Sequence, residues 1–265
     1  MGLEQDADGV ACRMEKLEEY VDGLAIVPAT SYYRTRMLLA LISKALTSAR
    51  AVCALVKAGF LGEAYAASRT LADIFFSVRY ICNKDTESRA QTYFEYALKT
   101  QEEWTRLHNK YLPDRKALVV SFDSEEQAAV RKYRNRHEWT GIRGQAKAMA
   151  LEEDSFEMDE NGTPIKNEFD YDVIYWWTSQ FVHGTVISMY GHTVEPGETY
   201  RIRPNIELEK DRGAEALFNV AVFVSKIFIY ACRAIHEDQP DGLLRETLDF
   251  ASSCARRAKG EAPGT

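Results

Sequence analysis

Residues Asp170–Tyr190, DYDVIYWWTSQFVHGTVISMY, decide the fold. Between Asp172 and Glu195 the chain carries no Lys, Arg, Asp or Glu. The same run holds groups that need hydrogen-bond partners: Tyr175, Thr178, Ser179, Gln180 and His183. Tyr175, Ser179 and His183 recur at steps of four, so on a helix they form one slightly spiralling stripe. A helix that is apolar nearly all round and polar along one stripe reads as a central helix whose stripe faces something specific.

Composition supports that reading. The chain has 265 residues, 46% of them hydrophobic, with 7 Pro and 15 Gly, enough to bury a sizeable core and biased toward helix. The net charge of −7 argues against capture of nucleic acid by overall charge while leaving room for a local basic pocket. Five cysteines (Cys12, Cys53, Cys82, Cys232 and Cys254) form no C-x-x-C pair, so zinc spacing is absent and reduced thiols of a cytoplasmic protein are expected. The acidic N-terminal stretch lacks the blocks of a signal peptide, and Gln5 and Asp6 stand where a myristoylation signal places a small hydroxyl residue. Residues 170–190 and Leu217–Ile235 are apolar enough to suggest membrane spans. Gln180 and His183 in the first, and Asn219 and Lys226 in the second, fit buried core helices better.

Outward from the decisive stretch, hydrophobic periodicity predicts helices over Ala11–Asp22, Ser31–Lys57 with Ser31 as N-cap, Leu61–Cys82, Thr86–Tyr111 closed by Pro113, Phe122–Arg136, Gln145–Leu151, Leu208–His236 and Asp241–Arg257. Residues 152–168, EEDSFEMDENGTPIKNE, are acidic and without helical period and read as a surface loop. Residues 193–203 alone have strand character, enough for one small β-hairpin, and the tail from 259 to 265 is expected to fray. The expectation is an all-α bundle with long central helices, forming one domain over residues 1–265.

A second polar stripe, Tyr65, Arg69 and Asp73, lies in the apolar helix from Leu61. Asp73 alone cannot satisfy the five donors of a buried Arg69, so a partner across the bundle is needed, and the Tyr175–Ser179–His183 stripe is the best candidate.

At this point the residues resemble a known family. R-T-L-A-D-I-x-x-x-x-R-Y-I (Arg69 to Ile81), the residues Trp139, Gly141, Arg143 and Ala146, and Y-W-W-T-S-Q-F-V-H-G (Tyr175 to Gly184) resemble the bacterial domain-of-unknown-function family 5677. The similarity covers about residues 60–190. The chain departs from the family pattern at Asp73, where the family has Glu and reaches further, and at Thr178, where it has Leu. The resemblance implies a helical, cytosolic bacterial protein and supplies no reaction; a role in regulation or phage defence is what a family of this kind suggests.

Three functional readings follow. In the first, Arg69, Asp73, Arg143, Tyr175, Ser179 and His183 bind a small anionic or nucleotide-like ligand, with Arg69 giving bidentate recognition; His183, Arg69 and Asp73 are the catalytic candidates if the site does chemistry. In the second, Arg131 and His137 satisfy the R-x(4–6)-H spacing of HEPN-like metal-independent ribonucleases, with His as general acid or base, Arg as phosphate stabiliser and RNA as partner, across a homo-oligomer. In the third, the stripes are a hydrogen-bond network that only fixes helix register. No metal motif is present, since H-x-x-x-H, H-E-x-x-H and paired E-x-x-H are absent and Glu102 and His108 fall on different helix faces. No cofactor is implied, because a P-loop, a dinucleotide fingerprint and a G-x-S-x-G elbow are all missing. The aromatic residues Tyr171, Trp176, Trp177, Phe181 and Tyr190 could stack bases, though helix packing explains them more simply.

Overall fold

A computed structural model of the protein describes residues 2–24, 32–112, 117–154, 163, 166–183, 193–194, 201–202, 210–235 and 239–258. The described residues form α1 (Leu3–Asp22), α2 (Tyr32–Lys57), α3 (Leu61–Asn83), α4 (Thr86–Tyr111), α5 (Ser124–Tyr133) and α6 (Gln145–Leu151). A π-helical turn (Asp170–Tyr175) then runs directly into α7 (Trp176–Val182), and α8 (Lys210–Ile235) and α9 (Asp241–Ala258) complete the chain. The expected β-hairpin is reduced to two residue pairs, Thr193 with Ile202 and Val194 with Arg201, in an antiparallel ladder (β1, Thr193–Val194; β2, Arg201–Ile202). The fold is an all-α bundle. The expected N-cap Ser31, the helix-closing Pro113 and the tail 259–265 lie outside the described residues.

The centre of the bundle is α3, packed against α2 and α8. Its residues Leu71, Ala72, Phe75, Phe76, Val78 and Ile81 are fully buried, as are Leu217, Val220, Phe223, Val224, Ile227 and Phe228 of α8. Phe75 meets the rings of Phe223 and Tyr230 at 5.8 and 6.0 Å between centroids. One buried cluster links these helices to α1, α2, α4, α6 and α9. Burying rings of this size supplies most of the drive to fold, at about 25 cal/mol per Å² removed from water. On the far side, Gly9 lets α1 and α9 close up: a Cβ there would meet the Phe250 ring at 2.3 Å.

The helical stretch Asp170–Val182 is not central, contrary to the expectation for residues 170–190. It lies along one side of α3, with Phe169, Val173, Trp176 and Val182 turned outward at 67, 48, 51 and 47% exposure. Lack of charge is not the same as burial: the helix keeps one packed face and leaves an apolar face open, and residues 184–190 lie outside the described set. Two described helices, Tyr32–Lys57 and Arg212–Ile235, are long and apolar enough to cross a membrane. The apolar window of the second is 72% buried within the bundle, and that of the first 44%.

Three boundaries in α1 and α5 also moved. α1 begins at Leu3 rather than near Ala11, because Leu3, Ala7 and Val10 already follow the helical period and pack inward. α5 starts after Asp123, whose carboxylate accepts from the backbone N–H of Glu125 and Glu126 while the Glu126 side chain accepts from the Asp123 N–H. It ends at Tyr133 instead of Arg136.

Candidate functional site

On α3, Arg69, Asp73 and Ser77 follow one another at steps of four and border an open cleft of about 460 Å³. The opposite wall comes from the π-helical turn. Closing its hydrogen bonds at i→i+5 widens the turn, and Tyr171 and Tyr175 then stack one above the other, 5.2 Å apart with planes 17° from parallel. The Tyr175 hydroxyl accepts a 2.6 Å hydrogen bond from Arg69 Nη2. The guanidinium carbon lies 4.6 Å from the centroid of the Tyr175 ring, close enough for cation–π attraction. Arg69 Nε is buried without a hydrogen-bond partner, and its distance to Asp73 Oδ2 is 3.9 Å.

The Arg69–Asp73 pair is therefore loose, and it is not fully enclosed as expected: the Asp73 side chain is 48% exposed against 20% for Arg69. Asp73 stands at the cleft rim. Partial burial raises its pKa, opposed by the positive charge of Arg69 and by a hydrogen bond from Tyr175. Burial likewise raises the Tyr175 pKa, against the pull of the Arg69 hydrogen bond.

The remaining walls come from α4 and from the turn that leads into α6. Trp139 is buried and held edge-on between Tyr80 and Tyr93, at 5.4 and 5.0 Å. Glu138 accepts from the backbone N–H groups of Gly144 and Gln145, at 3.2 and 2.8 Å, and so caps the start of α6. Lys147 adds a second cation to the lining. With Glu138 committed to the cap, Arg69 and Lys147 are the groups suited to an anionic ligand, and Tyr93, Tyr171 and Tyr175 offer rings.

The other expected site residues are elsewhere. Ser179 is buried, but its hydroxyl donates to the Tyr175 carbonyl of its own helix at 2.6 Å. His183 is exposed at the end of α7. Neither lines the cleft. Tyr65 packs its ring against Phe181, 5.2 Å away, instead of joining Arg69. Arg143 lines a separate cleft of about 750 Å³ with Arg136 and His137. Arg131 lines a third, of about 430 Å³, with Arg134. Because α5 stops at Tyr133, Arg131 and His137 do not share a helix and do not share a cleft. Of the six residues expected to bind a ligand, the structure gathers Arg69, Asp73 and Tyr175.

The most developed polar cluster was not anticipated. Arg79 and Asp154 are both fully buried and joined Nε to Oδ2 at 3.0 Å. Arg79 also donates to the carbonyls of Met149 at 2.8 Å and Glu152 at 2.5 Å. The Tyr230 hydroxyl of α8 donates to Asp154. Asn167, with its amide oriented to suit its neighbours, accepts from Arg79 Nε at 2.7 Å and donates to Asp170 Oδ2 at 2.9 Å, and Lys226 donates to the same Asp170 oxygen at 2.5 Å. Beside it, Arg89 grips Glu152 through two 2.8 Å bonds. Burial pushes the Glu152 carboxyl pKa up, but the bonds from Arg89 and Asn83 outweigh it and hold it below the usual value. The acidic stretch 152–168 is thus no simple surface loop, since Asp154 and Asn167 near its two ends are buried in the core network. The signal was Arg79 itself, set among Phe75, Phe76 and Cys82 with no acid one helical turn away.

Among the described residues no group of three or more His, Cys, Asp or Glu is placed to hold a metal ion. No curated protein and no solved structure gives a significant match to the chain. The model of a family described as a family of unknown function, DUF5677, matches residues 35–200, which include every element lining the Arg69 cleft, and the protein belongs to that family.

Proposed function

We propose that the cleft beside α3 binds a small ligand bearing a carboxylate or phosphate group, nucleotide-like in having a ring as well. One observation carries this reading: Arg69 lines an open cleft of about 460 Å³ and, with five N–H donors, makes a single hydrogen bond among the described residues. Its unused donors suit bidentate capture of an anion, Lys147 supplies a second positive charge, and the tyrosine rings suit a flat ligand. The setting proposed with it is a cytoplasmic bacterial protein in regulation or defence, in keeping with five cysteines that form no disulfide.

The test is calorimetric titration with AMP, inorganic phosphate and citrate in the millimolar range, on the wild type and on Arg69→Gln. Charge-assisted hydrogen bonds contribute about 1.5–3 kcal/mol, so Arg69→Gln should weaken binding by about 10- to 100-fold. At about 100 times its Kd a true ligand should also stabilise the fold by about 2.7 kcal/mol. Absence of binding by all three probes, or binding indifferent to Arg69→Gln, overturns the reading.

A structural reading has its own observation, the 2.6 Å bond by which Arg69 ties Tyr175 to α3. On that reading Tyr175→Phe costs stability and no probe binds.

A further inference from the structure

Residues 131–147 carry six cations, Arg131, Lys132, Arg134, Arg136, Arg143 and Lys147, against Glu138 alone, in a chain of net charge −7. Among the described residues only Lys132 is neutralised, by Glu95 at 2.8 Å. The other five are exposed, and none makes an ion pair with a described residue. That contrasts with Arg13, Arg50, Arg79, Arg89 and Arg257, each within 3.1 Å of a carboxylate. The unpaired cations are also distributed in order. Arg131 and Arg134, one helical turn apart at the end of α5, border the cleft of about 430 Å³ against the single acid Glu102; Arg136 and Arg143 border that of about 750 Å³; Lys147 borders the Arg69 cleft with Asp73. Glu138 lies on the boundary of the last two clefts, and its carboxylate is engaged in capping α6.

We propose that residues 131–143 form a binding face for the phosphodiester backbone of a single-stranded nucleic acid. Two successive clefts bordered by arginines, Arg131 with Arg134 and Arg136 with Arg143, match a ligand with repeated single negative charges, whereas one small anion fills only one of them. Four of the five cations without an ion pair are arginines, Arg136 packing over the Tyr133 ring at 4.9 Å, and their planar forks match phosphate oxygens. A single strand is flexible enough to turn successive phosphates into neighbouring clefts, which a stiff duplex is not. The cleft bordered by Arg136 and Arg143 has no Phe, Tyr or Trp in its lining, with His137 as its one ring, so recognition runs mainly through the backbone and depends little on base sequence. The face is independent of the Arg69 reading.

Fluorescence anisotropy of a labelled oligouridylate of about 20 nucleotides tests this. Four arginine–phosphate contacts on a single strand give a slope of log K against log salt near −2.8, about a 50-fold loss between roughly 50 and 200 mM salt. Arg136→Gln with Arg143→Gln should halve that slope. The quadruple variant, adding Arg131→Gln and Arg134→Gln, should nearly abolish it, with circular dichroism confirming that both variants fold. Arg69→Gln should leave RNA binding within about threefold, so that failure of the small-ligand site is distinguishable. The charge-matched control Arg245→Gln with Arg256→Gln should bind like the wild type. No binding at the lower salt, an equal loss in the control, or equal competition by polyglutamate, which would mark an acidic protein as the partner, each overturns the proposal.

Discussion

Replacing Arg79 by Met keeps most of the side chain's length and removes its charge and its hydrogen bonds. The change strands the Asp154 carboxylate at 0% exposure, together with the carbonyls of Met149 and Glu152 that accept at 2.8 and 2.5 Å. Tyr230 and Asn167 remain beside Asp154 and Asp170, but neither carries a positive charge. Breaking a buried pair from one side costs about 3–5 kcal/mol. Of a total stability of about 5–15 kcal/mol that is a large share, and it should lower Tm by about 10 °C. Asp154→Asn keeps an acceptor for Arg79 and for Tyr230 but loses the charge, so it should cost less, about 1.5–3 kcal/mol. The assay is guanidinium unfolding followed by circular dichroism, with the double variant Arg79→Met, Asp154→Leu closing a cycle. The double variant should recover part of the loss, because no unpaired charge remains buried. An Arg79→Met variant within about 1 kcal/mol of wild type would refute the idea that this pair locks residues 149–170 onto α3.

Three further outcomes follow from the geometry. Tyr175→Phe removes the 2.6 Å bond to Arg69 and, in this partly exposed setting, should cost about 1 kcal/mol, or about 2–3 °C in Tm; no measurable change would remove the bond from the account. Asp73 has a pKa raised by burial, so the folded state holds its proton more tightly than the unfolded state does. Its contribution is present in acid and lost as pH rises from the ordinary Asp value through the raised one, so Asp73→Asn should melt no lower than wild type at about pH 7 and the two should converge near pH 3. A variant destabilised more at neutral than at acid pH would reverse that sign. Finally, Cys12 is exposed, while burial pushes Cys53 up to about 12 and Cys254 up to about 11, so a thiol reagent at about pH 8 should find one fast equivalent in the native protein and five after unfolding. More than one fast equivalent would contradict the packing of α2, α3, α8 or α9, which bury Cys53, Cys82, Cys232 and Cys254.

The ends of α2, α3, α4 and α6 were legible because strong punctuation coincides with the end of an apolar period: Gly59 adopts a left-handed conformation, and the chain turns at Asn83–Asp85. α5 was overextended because Arg134–Arg136 continue its charged pattern while burying nothing, and a helix without apolar contact has little reason to propagate. The site was half legible for a related reason. Stepping by four from Tyr175 to Ser179 and His183 presumes a regular α-helix throughout. The widened turn over Asp170–Tyr175 aligns Tyr171 with Tyr175 at the cleft, Ser179 satisfies itself on its own backbone, and His183 is carried past the packed face. Arg79 escaped notice because its partners, Asp154 and Asn167, lie in a stretch whose polarity reads as solvent-facing.

The two arginines of α3 argue most directly for a ligand at the cleft. They are ten residues apart, about 15 Å along the helix, and both reach across to the segment between α6 and α7. Arg79 shows what this fold does with an arginine that serves structure: it is fully buried, paired with Asp154 and bonded to two backbone carbonyls. Arg69 belongs to the same helix yet receives one tyrosine hydroxyl and a carboxylate 3.9 Å away, with Nε unpaired beside open space. An unpaired buried donor costs about 1–3 kcal/mol, a large amount against the margin by which a domain stays folded. A role confined to tying Tyr175 to α3 does not call for a guanidinium, since a lysine or glutamine could donate the same single bond without leaving so many donors idle. What does call for one is a bidentate acceptor entering the cleft, and Arg69→Lys separates the cases: it should preserve Tm while losing most anion binding, whereas equal affinity for Lys and Arg would assign the residue to structure alone.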